Sequence, residues 1–513
     1  MIRNWLAKTV HDRLSKEFDG EFPSVDIGVP KTESYGDFSS NIAFGLAKLL
    51  RKSPAVIAAE FGSKLDIPGV NVSWVGGFIN FKLDDSFLFE KWIHSHSAEI
   101  PPVTVPEKML LEFVSANPTG PLHIGHGRWA VIGSCLANIL KAVGHDVQSE
   151  FYVNDAGNQI ALFRASVAAV ASGQPIPDNG YHGDYVRMLA TTTASVDDPV
   201  EAMRQSQSDV LESMGTTFDR WFSEKTLHES GKVHEVIQDL RRAGVVYDSE
   251  GAVWFRTTDF GDDKDRVLIK SDGALTYFAV DIAYHADKLA RCGNRLINIW
   301  GADHHGYVAR VRAAVAVLNQ GATIDFDIII GQLVSLLKDG EPVRMSKRTG
   351  ELVTLDEIIE EIGRDATRFF LAMKSADSTI EFDLALAKKQ SSDNPVYYVQ
   401  YAHARICAIF RKLGIHEALP VELISINSAE RDVISWGLQF SDEVHNAADH
   451  LAPHRIVHYL VELARRVHTM YEQSPILKSG DGLKHQRLHI LNQARQILSA
   501  GLSLLGISAP EEM

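Results

Sequence analysis

Two histidines three residues apart, His123 and His126, occupy the run Pro121-Leu122-His123-Ile124-Gly125-His126, in a turn rich in Asn, Pro and Gly between a short apolar run and a helical stretch. At that position two imidazoles and open backbone N–H groups gather at a helix N-terminus, which favours a phosphate. Imidazole N–H groups can donate to charge developing on a phosphoryl oxygen, and Gly125 leaves room for a flat base against the backbone. About two hundred residues on, Arg344-Met345-Ser346-Lys347-Arg348 lies between Asp339-Gly340 and Thr349-Gly350. Lys347 is a point charge suited to the β- and γ-phosphates of a nucleotide. Taken singly, the first pattern serves equally as an ordinary turn and the second as a solvated basic loop. In this order on one α/β pattern, they point together to a nucleotide triphosphate.

Acidic residues suggest a second chemistry. Glu112 interrupts the apolar run 109–114, and a carboxylate in a buried strand is costly unless paired. Asp281 follows Tyr277 by four residues, a helical spacing that sets phenol and carboxylate on one face. Carboxylates grouped in this way can hold a cation. The plainer alternatives are a strand end curving to solvent at Glu112 and a surface helix at Asp281. Further on, Tyr398 and Tyr401 share a helical face with His403 and Arg405 near. Aromatic faces beside cations are what unstacked nucleobases need, although an aromatic stripe also serves helix packing.

The elements that position these residues follow from periodicity. Residues 109–114 read as a strand, about 127–143 as a helix ending at Gly144, and 146–153 as a second strand. A further strand over 296–300 leads into the turn 301–306 and a helix over 307–318. Strand, turn, helix, strand is the doubly wound pattern, with ligands at the strand C-termini. Residues 155–245 are polar and mostly helical, and read as an insertion between the two halves of the sheet. Before the sheet, residues 1–100 form a small α/β unit with an opening amphipathic helix, a Ser53-Pro54 helix start and a strand pair or bulged strand around Gly76-Gly77. After it, 396–413, 429–450, 453–473 and 483–505 carry helical periodicity. The expected architecture is therefore multidomain: a small α/β N-terminal domain (1–100), a Rossmann-like doubly wound α/β catalytic domain (101–388), and an all-α C-terminal bundle (389–513).

Composition bounds the reading. With 45% apolar and 23% charged residues, the chain can bury a core. No run reads as a membrane span or a signal peptide, so a cytoplasmic location is expected. Three scattered cysteines argue against both a disulfide framework and a structural zinc, and no protein-bound metal is expected. The net charge of −15 speaks against a nucleic-acid partner unless basic surface is local.

The residues around these signals carry a resemblance. His123–His126 and Met345-Ser346-Lys347 resemble the HIGH and KMSKS motifs of class I aminoacyl-tRNA synthetases. Glu112-Phe113-Val114-Ser115-Ala116-Asn117-Pro118-Thr119-Gly120, Tyr152-Val153-Asn154-Asp155-Ala156-Gly157-Asn158-Gln159, Gly301-Ala302-Asp303-His304-His305-Gly306 and Gly363-Arg364-Asp365-Ala366-Thr367-Arg368 resemble, in order, blocks of the bacterial arginyl-tRNA synthetases. The second motif departs in carrying Arg344 and Arg348 at its ends, while Gly120 stands where relatives lacking the motif lysine place another. The resemblance covers essentially the whole chain. It implies activation of L-arginine by ATP with Mg²⁺, transfer to the 2′-hydroxyl of the terminal adenosine of tRNA(Arg), a requirement for bound tRNA during activation, and a monomer. It assigns His123, His126 and Lys347 to catalysis, with Gly125, Gly301, Asp303, His304, Met345 and Ser346 beside ATP. Glu112, Asn117, Tyr277 and Asp281 fall to arginine. Tyr398, Tyr401, Tyr471 and Met513 fall to the anticodon loop, where Arg405 is the cation that the residues themselves place beside the rings, with the Gly36-Asp37-Phe38 loop and Asn41 as weaker candidates at the tRNA elbow.

Three other readings fit less of the chain. An adenylyl transferase of the pantothenate or pantetheine kind, built on the same His-x-x-His turn, is far shorter. A cysteine-specific relative would carry zinc-type cysteines. A non-catalytic tRNA-binding paralogue would have damaged motifs, whereas His123, His126 and Lys347 are all present.

Overall fold

The computed structural model describes residues 2–18, 21–30, 32–95, 98–192, 198–293, 295–319, 324–338, 341–342, 353–415 and 421–513. Its centre is a five-stranded sheet in the order Asp325–Gly331, Arg295–Gly301, Lys108–Glu112, Asp146–Val153, Arg220–Ser223. Every pairing in it is parallel. The two central strands, Lys108–Glu112 and Arg295–Gly301, are mostly buried and read as short apolar runs. The chain moves outward from Lys108–Glu112 to one side, then returns to build the other side from Arg295–Gly301. The order therefore reverses between these two strands, and a crevice opens at their C-terminal ends. The expected doubly wound core is present.

Residues 155–245 differ from the expected insertion in one respect. The helices Asn158–Ala171, Asp184–Thr192 and Pro199–Ser213 lie outside the sheet around a small core of their own. Arg220–Ser223, however, is the sheet's edge strand. Four residues with one buried side chain leave too short a pattern to read as a strand. Beyond it, Val246–Ser249, Ala252–Phe255 and Arg266–Ile269 form an antiparallel sheet absent from the sequence reading.

The helix Ile124–Ala142 starts three residues earlier than its apolar periodicity suggested, with His123 as its N-cap. It is fastened to the second half of the fold by buried Arg128, which donates to the carbonyls of Gln332 (2.7 Å), Ser375 (2.8 Å) and Ser378 (2.6 Å). Trp129 of the same helix lies over Gly331, where a Cβ would come within 1.8 Å of the ring.

The N-terminal unit has the expected opening helix, Ile2–Glu17, the helix capped by Ser53 with Pro54 in its first turn, and the hairpin Val70–Val75 and Phe78–Leu83. Its last helix, Asp85–His94, docks on the C-terminal bundle through fully buried Trp92, whose ring meets the Cα face of Gly437. The stretch expected as one helix over 429–450 is two, Ser428–Gly437 and Phe440–Asp449, and Gly437 ends the first of them, as a weak helix former can. The bundle is completed by Pro395–Leu413, His454–Gln473 and Asp481–Leu504. Among the described residues no helix is long and apolar enough to cross a membrane.

Candidate active site

The turn after Lys108–Glu112 is strained. Val114 (φ 71°) and Ser115 (φ 46°) hold left-handed backbone without being glycine, a conformation that β-branched side chains in particular resist. The turn is held from several sides. Ser115 Oγ donates to Glu112 Oε1 at 2.8 Å and accepts from Tyr152 N at 3.2 Å. The insertion adds Gln207, which donates to the carbonyls of Asn117 (3.0 Å) and Gly120 (2.8 Å), and Tyr185, whose hydroxyl donates to that of Thr119 at 3.2 Å.

This turn delivers the two histidines to the first helical turn. Gly125 N donates to His123 Nδ1 at 3.1 Å, and His123 N donates to His126 Nδ1 at 3.2 Å. The pair thus forms a capping box. Because a backbone N–H can only donate, both Nδ1 atoms are acceptors, and in both rings the proton sits on Nε2. The rings stack with centroids 3.8 Å apart. A Cβ on Gly125 would lie 3.0 Å from His123's ring, so this glycine makes room first for the imidazole and only then for a base.

His123 and His126 line a cavity of about 1110 Å³ together with Glu112, Asn117, Tyr277 and Asp281. Gly125, Gly301, Asp303 and His304 also line it. Asp303 and His304 are exposed and 3.6 Å apart. Met345, Ser346 and Lys347 lie outside the described residues. Their downstream flank returns to the first motif, where Leu355 N donates to Leu122 O at 2.8 Å and Thr354 bridges His123.

Two expected arginine contacts sit differently from the local reading. Tyr277 is 71% exposed at the cavity mouth, and the phenol that reaches Asp281 belongs to Tyr307. Burial pushes the Asp281 carboxyl up to about 7; the Tyr307 hydrogen bond opposes this, while the charges of Glu224 and Glu112 add to it. Glu112 does not curve out to solvent. It is 5% exposed and paired with fully buried Lys288. Burial alone would raise its carboxyl, but Lys288, with His285 and Ser115, holds it below the usual range.

Glu224 was missed. It is buried, lines the same cavity, and accepts from the Tyr152 hydroxyl at 2.8 Å with His228 Nε2 at 3.3 Å. The signal was its place one residue beyond a parallel strand's C-terminal end, where ligand residues collect. It became visible only once that strand was known.

On the bundle, Arg405 lies 3.4 Å from the Tyr471 ring centroid and 5.9 Å from that of Tyr401, and both rings are partly exposed. Tyr398 is half-buried against His468. His403 is buried, and its Nδ1–H donates to Pro510 O at 2.9 Å, a structural tie. Met513 is exposed, at the end of a tail that Arg411 holds through Glu511 O at 2.9 Å.

The Gly36-Asp37-Phe38 loop is structural. Phe38 is buried, Gly36 (φ 104°) has no space for a Cβ beside the Phe81 carbonyl, and Asp37 is gripped by Arg431 of the bundle through two bonds of 2.7 and 2.9 Å. Asn41 precedes the helix Ile42–Leu50 without a side-chain cap bond.

Comparison with known proteins agrees with this layout. Residues 2–83 match the arginyl tRNA synthetase N terminal domain, 94–175 and 200–398 the catalytic domain of tRNA synthetases class I (R), and 399–513 the DALR anticodon binding domain. An arginine–tRNA ligase of Desulforudis audaxviator is 42% identical over 96% of this chain and 94% of its own. One of Listeria welshimeri is 43% identical over 96% and 95%. The solved arginyl-tRNA synthetase of Thermus thermophilus, 24% identical, shares the fold over the whole of both chains with a TM-score of 0.84.

Proposed function

The chain belongs to the class I arginyl-tRNA synthetases and is an arginine–tRNA ligase; from that premise we propose how its residues divide the work. Arginine, ATP and tRNA are the substrates of the family. His123 and His126 offer their Nε2–H groups to the α-phosphate as the arginine carboxylate attacks it, and pyrophosphate leaves. Lys347 steadies the β- and γ-phosphates, with Met345 and Ser346 beside them. Gly125, Gly301, Asp303 and His304 border the nucleotide. Asp281 and Glu224 hold the guanidinium, and Glu112, Asn117 and Tyr277 complete the amino-acid pocket. The 2′-hydroxyl of the terminal adenosine then takes the arginyl group, and no covalent enzyme intermediate is needed.

Mg²⁺ would arrive on the triphosphate, since this ion keeps most of its waters and prefers substrate oxygens. Asp303, exposed at the cavity edge, is a suitable partner for one of those waters. Bound there, the ion neutralises phosphate charge. On the bundle, Tyr401, Tyr471 and Arg405, with Tyr398 and Met513 nearby, form the anticodon-loop surface. For the tRNA elbow, the exposed Phe44 and Phe78 rings, 5.1 Å apart, suit the N-terminal unit better than Asp37 or Asn41. The protein acts as a cytoplasmic monomer.

The observation that carries this reading is that paired imidazoles and the carboxylates Asp281 and Glu224 line one cavity. ATP–pyrophosphate exchange with each amino acid, with and without tRNA(Arg), tests it. Exchange that follows arginine and needs tRNA is expected; exchange with another amino acid would refute the pocket assignment.

A further inference from the structure

Lys288 is fully buried on the helix Tyr277–Arg291, and the reaction described above makes no use of it. Its ammonium is enclosed on three sides. It donates to Glu112 Oε2 and, at 2.9 Å, to Asn298 Oδ1, and it sits 4.4 Å from the Tyr284 ring centroid. Asn298 is the register partner of Glu112 across the two central strands. The Asn298 amide donates to His285 Nε2 at 3.1 Å, and His285 Nδ1–H donates to the Asp281 carbonyl at 2.8 Å. A hydrogen-bonded chain thus joins Glu112 to the helical turn that carries Asp281. Stability does not account for such a pair, because apolar residues of equal volume commonly serve as well or better.

Charge does account for it. Glu112, Asp281 and Glu224 all line the cavity. Tyr307 answers Asp281, while Tyr152 and His228 answer Glu224. Among the described residues neither acid pairs with a lysine or arginine, whereas Glu112 is paired with Lys288. Glu112 also stands on the strand that runs directly into the His123 turn, the reacting end of the pocket.

We propose that Lys288 is a specificity-determining positioning residue that cancels Glu112 from inside the protein. Of Glu112, Asp281 and Glu224, a cationic substrate then finds only the last two without a lysine or arginine partner among the described residues. A side chain as long and forked as arginine reaches them, while a shorter cation gains nothing at Glu112. The proposal rests on the arginine pocket described above.

The test is tRNA-dependent exchange with arginine, lysine and ornithine, using the full chain as wild type, Lys288→Arg, Lys288→Gln, Glu112→Gln and the double variant Lys288→Gln/Glu112→Gln. Lys288→Gln should lower the ratio of arginine to lysine or ornithine kcat/KM by about tenfold or more, through a lower KM for the shorter amino acids. Lys288→Arg should keep the ratio, and adding Glu112→Gln to Lys288→Gln should recover it. An unchanged ratio in Lys288→Gln, or no recovery in the double variant, overturns the proposal. If Lys288→Gln does not fold, Glu112→Gln alone, with Lys288 unpaired, must raise the arginine KM more than the double variant does; equal values overturn it. A wild type that shows no exchange with arginine under any condition would instead refute the pocket itself.

Discussion

Tyr307 donates its phenolic hydrogen to the Asp281 carboxyl from a different element, twenty-six positions further along the chain. The acid best placed to hold a guanidinium is therefore answered, within the protein, by a neutral group. Its proton affinity is consequently tied to substrate binding.

Arginine use should rise with pH up to neutrality. Arginine binds the ionised carboxyl, and burial holds that carboxyl at about 7. The arginine KM should fall about fivefold from pH 6 to pH 7 and level off above pH 8. Without substrate the sign reverses. The folded chain keeps this proton more tightly than the unfolded chain does, so Asp281 subtracts from stability as pH rises from about 4 to about 7. A flat KM profile, or arginine binding near pH 6.5 without proton release by calorimetry, would contradict this.

Tyr307→Phe removes a donor that favours the ionised acid, so the midpoint of the KM profile should move up. The arginine KM at pH 7 should rise about three- to tenfold and recover at higher pH. Asp281→Ala should abolish arginine use at every pH while tRNA binding by filter retention stays near wild type. Parallel loss of both would indicate misfolding.

His123→Asn keeps an acceptor at the helix cap and loses the outer N–H. It should cost about a hundredfold or more in kcat, with little change in arginine KM or melting temperature. His123→Ala should lose the cap as well, at about 1 kcal/mol of stability. Equal melting temperatures for the two variants would argue against the cap.

Asp37→Ala leaves Arg431 half-buried without its bidentate partner. A loss of about 3 kcal/mol is expected, seen as earlier thermal unfolding and faster proteolysis between the N-terminal unit and the bundle. Exchange by the surviving folded protein should be largely kept. Unchanged stability would return Asp37 to the list of tRNA contacts.

Arg405→Met should weaken tRNA binding about tenfold and reduce its salt dependence, because it removes a cation from between two exposed rings. Arginine KM measured at saturating tRNA should not move. Unaltered tRNA affinity would reassign these rings to helix packing.

What could be read from the residues alone was local. The step from His123 to His126 lies within a single helical turn, so two imidazoles at a helix start needed no knowledge of the rest of the chain. The bundle helices likewise followed from the 3.6 period and the central strands from short apolar runs, both of which a short window contains. Asp281 could be marked as an acid on a helix, but its partner could not. A four-residue spacing pointed to Tyr277, whereas burial and the packing of the turn after Arg295–Gly301 selected Tyr307. Glu224 joined the site only because Arg220–Ser223 pairs at the sheet edge, and Lys288 reached Glu112 across 176 positions because two strands are neighbours. Such meetings depend on strand order and on which charges lose their water, and those are properties of the assembled fold.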